Sequence, residues 1–225
     1  MPVITIARQY GAGASAVARL VADELGAELI DKELIAEVAR RAAVAPSLVA
    51  AEDERPVSML ARVVDSFGPL AAGAGLIWEP PYPDPAYDPH RALVELTRRV
   101  IAEVARSGNA VIVGRGASVV LRDRRDATHV FLYADDGIRV ETVKARETVS
   151  EAVARRRMHE MDANRAAYLH QVYGMDWRDP LLYTVMLNTG ALGYARTAEL
   201  ILATARRGAR ARVADRPEPA LETTA

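Results

Sequence analysis

The first thirty residues constrain the fold most, because an apolar run, a glycine-rich turn and an amphipathic stretch follow one another there. The apolar run covers residues 3–7, and the turn over 8–15 reads Arg-Gln-Tyr-Gly-Ala-Gly-Ala-Ser. Apolar residues then recur at helical spacing, at Val17, Leu20, Val21 and Leu25. Gly26 stands where a glycine commonly ends a helix, and the short run Leu29-Ile30 comes next. The pattern predicts a strand, a glycine turn and a helix, the start of a βαβ unit.

Such a turn exposes backbone N–H groups at a helix N-terminus, where the helix dipole favours a phosphate. Two motifs fit it. Gly11 to Ala16 match the dinucleotide pattern G-x-G-x-x-A, with Asp31 at the position of the ribose-binding acid. The alternative is a P-loop, G-x-x-x-x-G-K-S/T, and its four fixed positions are then taken by Arg8, Gly13, Ala14 and Ser15. Ala14 replaces the lysine, and the Ser15 hydroxyl would contact Mg²⁺. A tight turn that binds no phosphate is a third interpretation, and these residues alone leave the three open.

Composition sets broad limits on function. The chain has 225 residues and a formal net charge of -1, which suits one sizeable core and gives no electrostatic footprint for nucleic acid. The absence of cysteine excludes disulfides and thiolate chemistry. The N-terminus lacks the pattern of a signal peptide, and no apolar run approaches the length of a bilayer span. We therefore expect a soluble cytoplasmic protein without a membrane partner.

Strand and helix patterns alternate along the rest of the chain. Helical patterns cover 31–40, 90–107, 135–143, 149–173 and 194–207, and Asp135 is a candidate cap. Strand patterns cover 110–114, 129–133 and 183–187. The alternation predicts a three-layer α/β sandwich around a parallel sheet of about five strands. Residues 67–89 are rich in glycine, proline and aromatic residues and are predicted to form an irregular flap, while the polar residues beyond Gly208 are predicted to be a disordered tail.

Arginines are the clearest further candidates for chemistry. Arg115 follows the 110–114 strand, so it lies at the sheet edge where ligands bind, and its guanidinium can donate a fork of hydrogen bonds to a phosphate. Pairing with a neighbouring carboxylate is the alternative. Arg157 and Arg165 lie on the long charged helix, where a closing lid would bring them over a transferred phosphoryl group. The four histidines show no metal-binding spacing, and neither H-E-x-x-H nor G-x-S-x-G occurs.

Several stretches together resemble one family, the cytidylate kinase-like proteins, which are bacterial P-loop proteins related to nucleoside monophosphate kinases. The similar stretches are Ile4–Gly13, Asp31–Ile35, Val111–Ala117, Tyr173–Pro180 and Leu187–Thr189, in the family's order across residues 3–207. The resemblance decides against the dinucleotide interpretation. Family members share a glycine turn that begins with arginine and lacks the lysine, so Arg8 and Ala14 are typical of the group.

The resemblance implies one P-loop kinase-like domain over residues 1–207, with a helical insertion at about 45–90 that covers the acceptor, a helical lid at about 148–173 and a tail at 208–225. It implies ATP-dependent phosphoryl transfer to a nucleoside monophosphate, similar to CMP or dCMP, or to a related small acceptor. The implied ATP-phosphate site consists of Gly11, Ala12, Gly13, Ala14, Ser15 and Ala16, with Mg²⁺ on Ser15. The implied catalytic arginines are Arg8, Arg115, Arg157 and Arg165, and the implied acceptor residues are Asp31 and Arg115.

The missing P-loop lysine supports a second hypothesis, a module that binds nucleotides without transferring phosphate. In either case the partner is a small nucleotide, and a homo-oligomer is compatible with the sequence.

Overall fold

A computed structural model describes residues 2–31 and 89–214 of the chain. Its strands are β1 (Val3–Arg8), β2 (Glu28–Ile30), β3 (Ala110–Val113), β4 (Ala127–Tyr133) and β5 (Val185–Asn188). Its helices are α1 (Ala14–Leu25), α2 (Pro89–Ser107), α3 (Ala117–Val120), α4 (Asp136–Glu147), α5 (Glu151–Tyr173) and α6 (Thr189–Ala214). A 3₁₀ turn covers Pro180–Leu182.

The five strands form one parallel sheet in the order β2-β3-β1-β4-β5. β1 lies at the centre, and its Val3 pairs with Ala110 of β3 on one side and Ala127 of β4 on the other. All four residues of β3 are buried, as expected for a strand that helices cover on both faces. The predicted parallel sheet of five strands is confirmed, and the carboxyl ends of its strands meet along one edge.

Side chains alternate between the two faces of the sheet, and each face has its own core. Val111 and Val113 pack in a cluster with α1 and α6, which contribute buried residues such as Val17 and Ile201. Ala110 and Ile112 face the opposite way, into a cluster with α2 and α3. This arrangement is the predicted three-layer sandwich.

Several predicted boundaries need correction. β5 begins at Val185 and not at Tyr183, because the Tyr183 N–H bonds to Pro180 O and closes the 3₁₀ turn. α6 spans Thr189–Ala214, but the non-helical Gly193 divides it, so its longer part begins at Tyr194 as predicted and continues to Ala214, beyond the predicted end at 207. Asp135 does precede α4, but its side chain makes no capping hydrogen bond.

Some predictions lie outside the described residues. These are the helix predicted over 31–40, beyond its first residue, and the insertion at 45–90 with its flap at 67–89, apart from the first two residues of α2. Of the predicted tail, residues 215–225 also lie outside. Within the described ranges, no helix is both long enough and apolar enough to cross a bilayer.

Candidate functional site

A cavity of about 830 Å³ opens at the carboxyl edge of the sheet. Its walls come from the ends of β1 and β3, the glycine turn with the start of α1, and one face of α5. The predicted residues on its surface are Arg8, Gly11, Ala12, Gly13, Ala14, Ser15, Ala16, Asp31, Arg115 and Arg165. The fold therefore brings together all but one of the residues that the sequence singled out, and the exception is Arg157.

The glycine turn presents backbone donors to this cavity. Gly11 and Gly13 have φ angles of 83° and 68°, which glycine adopts without the steric cost of a side chain. Gly13 is the N-cap of α1, and its carbonyl accepts from the N–H groups of Ala16 and Val17. The N–H groups of Ala14 and Ser15 therefore precede the first bonds of the helix. An anion in the cavity would meet these donors at the positive end of the helix dipole.

The lysine position of the aligned P-loop is a core position here. Ala14 is buried in the cluster that joins α1 to the sheet. Gly13, just before it, lies against the ring of Tyr194: a Cβ atom at Gly13 would come within 2.2 Å of the Tyr194 Cε1 atom. Tyr194 also lines the cavity and follows Gly193, whose φ of 71° and ψ of 164° kink α6. The turn is therefore covered by an aromatic ring and has no lysine at this position.

A second turn at the same edge carries Arg115. Gly114, Arg115 and Gly116 have three consecutive positive φ angles, of 82°, 55° and 71°. The left-handed conformation is costly for arginine, and such strain is concentrated at functional sites in proteins. Arg115 is exposed and lines the cavity, as the strand pattern predicted. Its placement at the sheet edge is thus observed, while its role remains a prediction.

Arg8 connects the two turns. It is the last residue of β1, and its guanidinium packs on Gly114, where a Cβ atom would lie 2.1 Å from Arg8 Nη1. The Arg8 carbonyl accepts a hydrogen bond of 3.0 Å from Nη1 of Arg165 on α5. Arg8 therefore contacts both the β3 turn and the helix opposite.

One face of α5 forms a wall of the cavity, through Met161, Asn164, Arg165 and Tyr168 at helical spacing. Burial lowers the pKa of Arg165, although nearby Asp162 opposes the shift. Arg157 precedes this set and does not reach the cavity surface; its Nη1 donates to Glu147 at the end of α4. Arg155 is exposed and paired with Glu151, as expected for a solvated helix face.

Side chains of α4 and α5 form hydrogen bonds with the backbone of the glycine turn at Tyr10. The Tyr10 N–H donates to Oδ1 of Asp162 at 2.8 Å, and the Tyr10 carbonyl accepts from Nε of Arg139 at 2.8 Å. Asp162 and Arg139 also pair with each other, and their side chains are only 10% and 6% exposed. Burial excludes competing water, so this clamp fixes the Tyr10 peptide relative to the two helices.

The side chain of Tyr10 contacts three charged residues, Glu147, Arg146 and Arg165. Its hydroxyl donates to Oε1 of Glu147 at 2.5 Å, and the Cζ atoms of Arg146 and Arg165 lie 4.7 and 5.4 Å from its ring centroid. Hydrogen bonds from Arg146, Tyr10 and Arg157 lower the pKa of Glu147 to about 2. Sequence reasoning did not single out Tyr10, Arg146 or Glu147, because their association depends on contacts between residues more than a hundred positions apart.

Aromatic side chains form another part of the lining. Trp177 and Tyr183 are buried and pack on Phe131 with ring centroids 5.5 and 5.0 Å apart, respectively. The Tyr183 hydroxyl donates to the Trp177 carbonyl at 2.7 Å, and burial raises the Tyr183 pKa to about 12. Trp177, Tyr183 and Tyr168 all contribute to the cavity surface. The cavity thus combines backbone donors and arginine side chains, which are able to bind an anion, with aromatic side chains in its lining.

The cavity contains oxygen ligands of the type that the expected Mg²⁺ prefers. Mg²⁺ prefers hard oxygen ligands and is commonly held by one or two protein groups together with substrate phosphates. The exposed Ser15 hydroxyl and the Asp31 carboxylate both line the cavity with the glycine turn. No cluster of three metal-binding side chains occurs among the residues that the structure describes.

Comparisons of the whole chain agree with this geometry. No curated protein matches its sequence. In structure it is similar to an uncharacterized protein from Eubacterium ventriosum ATCC 27560, with 22% identity, a TM-score of 0.66 and coverage of 92% of this chain and 99% of that one. That likeness establishes a shared fold.

More distant similarities are to two shikimate kinases. The enzyme from Acinetobacter baumannii, in complex with shikimate, has 19% identity and a TM-score of 0.42, with coverage of 90% of this chain and 91% of that one. The enzyme from Bacteroides thetaiotaomicron has 16% identity and a TM-score of 0.45, with coverage of 94% and 98%.

The family model is decisive, since it covers most of the chain. Residues 3–191 match the model described as the cytidylate kinase-like family. The matched region contains the glycine turn, the Arg115 turn and the α5 face, and membership supports a nucleotide kinase-like function. This chain belongs to the cytidylate kinase-like family.

Proposed function

We propose that this protein transfers the terminal phosphoryl group of ATP to a nucleoside monophosphate, similar to CMP or dCMP, or to a related small phosphorylated acceptor. One observation carries the proposal: a single cavity joins the glycine turn of β1–α1 to Arg115, Arg8 and Arg165. A phosphotransferase needs donor and acceptor phosphates side by side, and this cavity offers separate binding groups for each.

In this proposal the backbone of Gly11 to Ser15 holds the ATP phosphates. Bound Mg²⁺, with Ser15 among its ligands, would neutralise charge on those phosphates. Arg115 binds the acceptor phosphate through its guanidinium fork, and Asp31 orients the acceptor. Arg165 and Arg8 stabilise charge on the transferred group. A phosphate acceptor is already an anion, so positioning and electrostatic stabilisation carry the rate without a general base.

Arg157 keeps its proposed role only in a rearranged state. In the structure its guanidinium pairs with Glu147, which lines the cavity, but Arg157 does not line the cavity itself. Arg146, on the same carboxylate, lines the cavity in its place. A direct role for Arg157 therefore requires that Glu147 release it when the substrates bind.

The aromatic lining supports a nucleotide acceptor. The aromatic residues Trp177, Tyr183 and Tyr168 line the same cavity as Arg115. A nucleoside monophosphate combines a planar base with one phosphate, so it matches both features. These contacts do not distinguish one nucleobase of the acceptor from another.

A second candidate is a module that binds nucleotides without turnover. It is favoured by the buried Ala14 at the lysine position, since loss of a preorganised cation costs several orders of magnitude in rate unless another cation replaces it.

The deciding experiment measures ADP formation from ATP and Mg²⁺ with CMP, dCMP, UMP, AMP or GMP, together with ATP affinity. We expect ADP formation that depends on the acceptor. ATP binding with no ADP for any acceptor in the panel would favour the binding module.

A further inference from the structure

The cation that the glycine turn lacks must be supplied within the same cavity. Ala14 is buried, and Arg19 on α1 does not contribute to the cavity surface. Arg146 and Arg165 do contribute to it, as does Tyr10, on whose ring both guanidinium groups lie.

Two guanidinium groups held near each other repel, so their placement needs compensation. The π face of Tyr10 attracts both cations, with Cζ-to-centroid distances of 4.7 Å for Arg146 and 5.4 Å for Arg165. Glu147 accepts from Arg146, and Asp162 lies 3.5 Å from Nη1 of Arg165. Both guanidinium groups therefore lie on one ring, that of Tyr10.

Tyr10 is itself held rigidly. Its N–H and carbonyl are bound by the buried pair of Asp162 and Arg139, and its hydroxyl by Glu147. These bonds come from α4 and α5, whereas Tyr10 belongs to the glycine turn. The position of the ring therefore links the two helices that carry the arginines to the backbone that would bind phosphate.

We propose that Tyr10 is a positioning residue, whose ring holds Arg146 and Arg165 beside the glycine turn so that the pair replaces the missing P-loop lysine toward the terminal phosphates of a nucleoside triphosphate. This inference rests on the proposed function, because it assumes that the turn binds such phosphates. Tyr10 acts through the two arginines and makes no bond to the transferred group.

The test weakens the π face of the ring while keeping its shape. Tyr10→Phe serves as the reference, and trifluorophenylalanine and pentafluorophenylalanine are then incorporated at position 10. We expect the affinity for ATP, measured by calorimetry, to fall in step with fluorination, by about tenfold at the pentafluoro ring. The affinity for AMP should change far less, since it lacks the terminal phosphates.

Two controls make the result specific. The same series at Tyr133, which is on β4 and does not line the cavity, should leave ATP affinity unchanged. In an Arg146→Gln background the fluorination effect at position 10 should shrink, because one of the two cations is gone. A steric role of Tyr10 would show neither the graded loss nor this coupling.

The outcomes separate the two proposals. Equal ATP affinity across the fluorinated series, in a wild-type protein that binds ATP, would overturn the role of Tyr10 and leave the proposed function standing. No ATP binding by the wild-type protein would overturn both. If the pentafluoro protein does not fold, the trifluoro protein still gives the graded comparison.

Discussion

The two turns at the carboxyl edge of the sheet present different anion-binding groups to the same cavity. The β1–α1 turn has left-handed glycines at positions 11 and 13 and leads into a helix of 12 residues. The β3–α3 turn has left-handed residues at 114–116 and leads into a helix of 4 residues. The first turn offers backbone N–H groups and a helix dipole, whereas the second offers the side chain of Arg115.

This difference suggests a division of labour. Backbone donors suit a polyphosphate that lies along a turn, because several N–H groups are fixed at once. A guanidinium fork suits a single phosphate, because it supplies charge and a defined orientation together. The comparison predicts that the first turn serves the donor and the second the acceptor, and variants in each turn should separate the two.

The largest effect is expected at Gly13. In Gly13→Ala the new Cβ overlaps the Tyr194 ring, and the left-handed φ is strained as well. We expect ATP affinity to fall about a thousandfold, with acceptor affinity little changed, as measured by calorimetry with each ligand.

Gly26→Ala is the matched control for that variant. Gly26 also has a left-handed φ, of 55°, at the other end of α1, but nothing lies within 4 Å of a Cβ there. It should lose about 1–2 kcal/mol of unfolding free energy and keep its ATP affinity. Equal ATP affinities for the two variants would contradict the role of the first turn.

Arg115→Ala should have the complementary effect. Without the guanidinium, acceptor affinity is expected to fall about a hundredfold while ATP affinity stays the same. Arg122→Ala, which removes an exposed arginine paired with Asp123 away from the cavity, is the control. Loss of ATP affinity in Arg115→Ala would show that the two turns do not divide the ligands.

Backbone strain at Arg115 can be tested separately, through the unfolding free energy of a glycine variant. Arg115→Gly removes the guanidinium but relieves the left-handed φ of 55°. We expect its acceptor affinity to match that of Arg115→Ala, with an unfolding free energy about 1 kcal/mol higher than in that variant. Chemical denaturation measures this difference, and equal stabilities would remove the argument from strain.

The arginines of α5 should differ from each other. Arg165 lines the cavity and bonds to the Arg8 carbonyl, whereas Arg157 does not line the cavity and pairs with Glu147, which does. We expect Arg165→Ala to lower kcat about fiftyfold and Arg157→Ala less than about fivefold. A larger loss in Arg157→Ala would indicate that Glu147 releases Arg157 during turnover.

The smallest effect concerns the sheet beneath both turns. His129 of β4 is buried beside Thr5 of β1, with 2.8 Å between Nδ1 and Oγ1, and burial lowers its pKa. The folded state therefore favours neutral His129, and this stability is present above the unfolded pKa of about 6.5 and lost as the pH falls below it.

In denaturation experiments, the wild-type protein should lose at most about 1.4 kcal/mol per pH unit from this group just below pH 6.5. His129→Gln keeps a polar partner for Thr5 but does not titrate, so its stability should fall less over that interval. Parallel curves for the two proteins would contradict a neutral buried His129.

Sequence patterns predicted the fold well because its determinants are local. Uninterrupted apolar runs such as Ala110–Val113 become central strands, and Gly26 ends α1 as its position indicated. Arg115 could be placed at the sheet edge because it directly follows a strand. Gly193 has a non-helical conformation and divides α6, so the helix predicted from Tyr194 begins directly after it, and only the turn over residues 189–192 was not predicted.

The contacts of Tyr10 with Arg146, Glu147 and Arg165 could not be predicted in the same way. Tyr10 meets Glu147 and Arg165 across separations of 137 and 155 positions, and no spacing in the sequence encodes such contacts. Arg157 and Arg165 lie on the same helix and are both positively charged, yet only Arg165 lines the cavity. Tertiary packing alone distinguishes them.

If each turn serves its own ligand, the donor and acceptor phosphates occupy the cavity at the same time. The most direct measurement is the affinity of the wild-type protein for CMP in the presence of a saturating ATP analogue that cannot be hydrolysed. We expect CMP to bind at one site per chain while the analogue stays bound. Displacement of the analogue by CMP would show that the two ligands share one phosphate site, and would contradict a division of the ligands between the two turns.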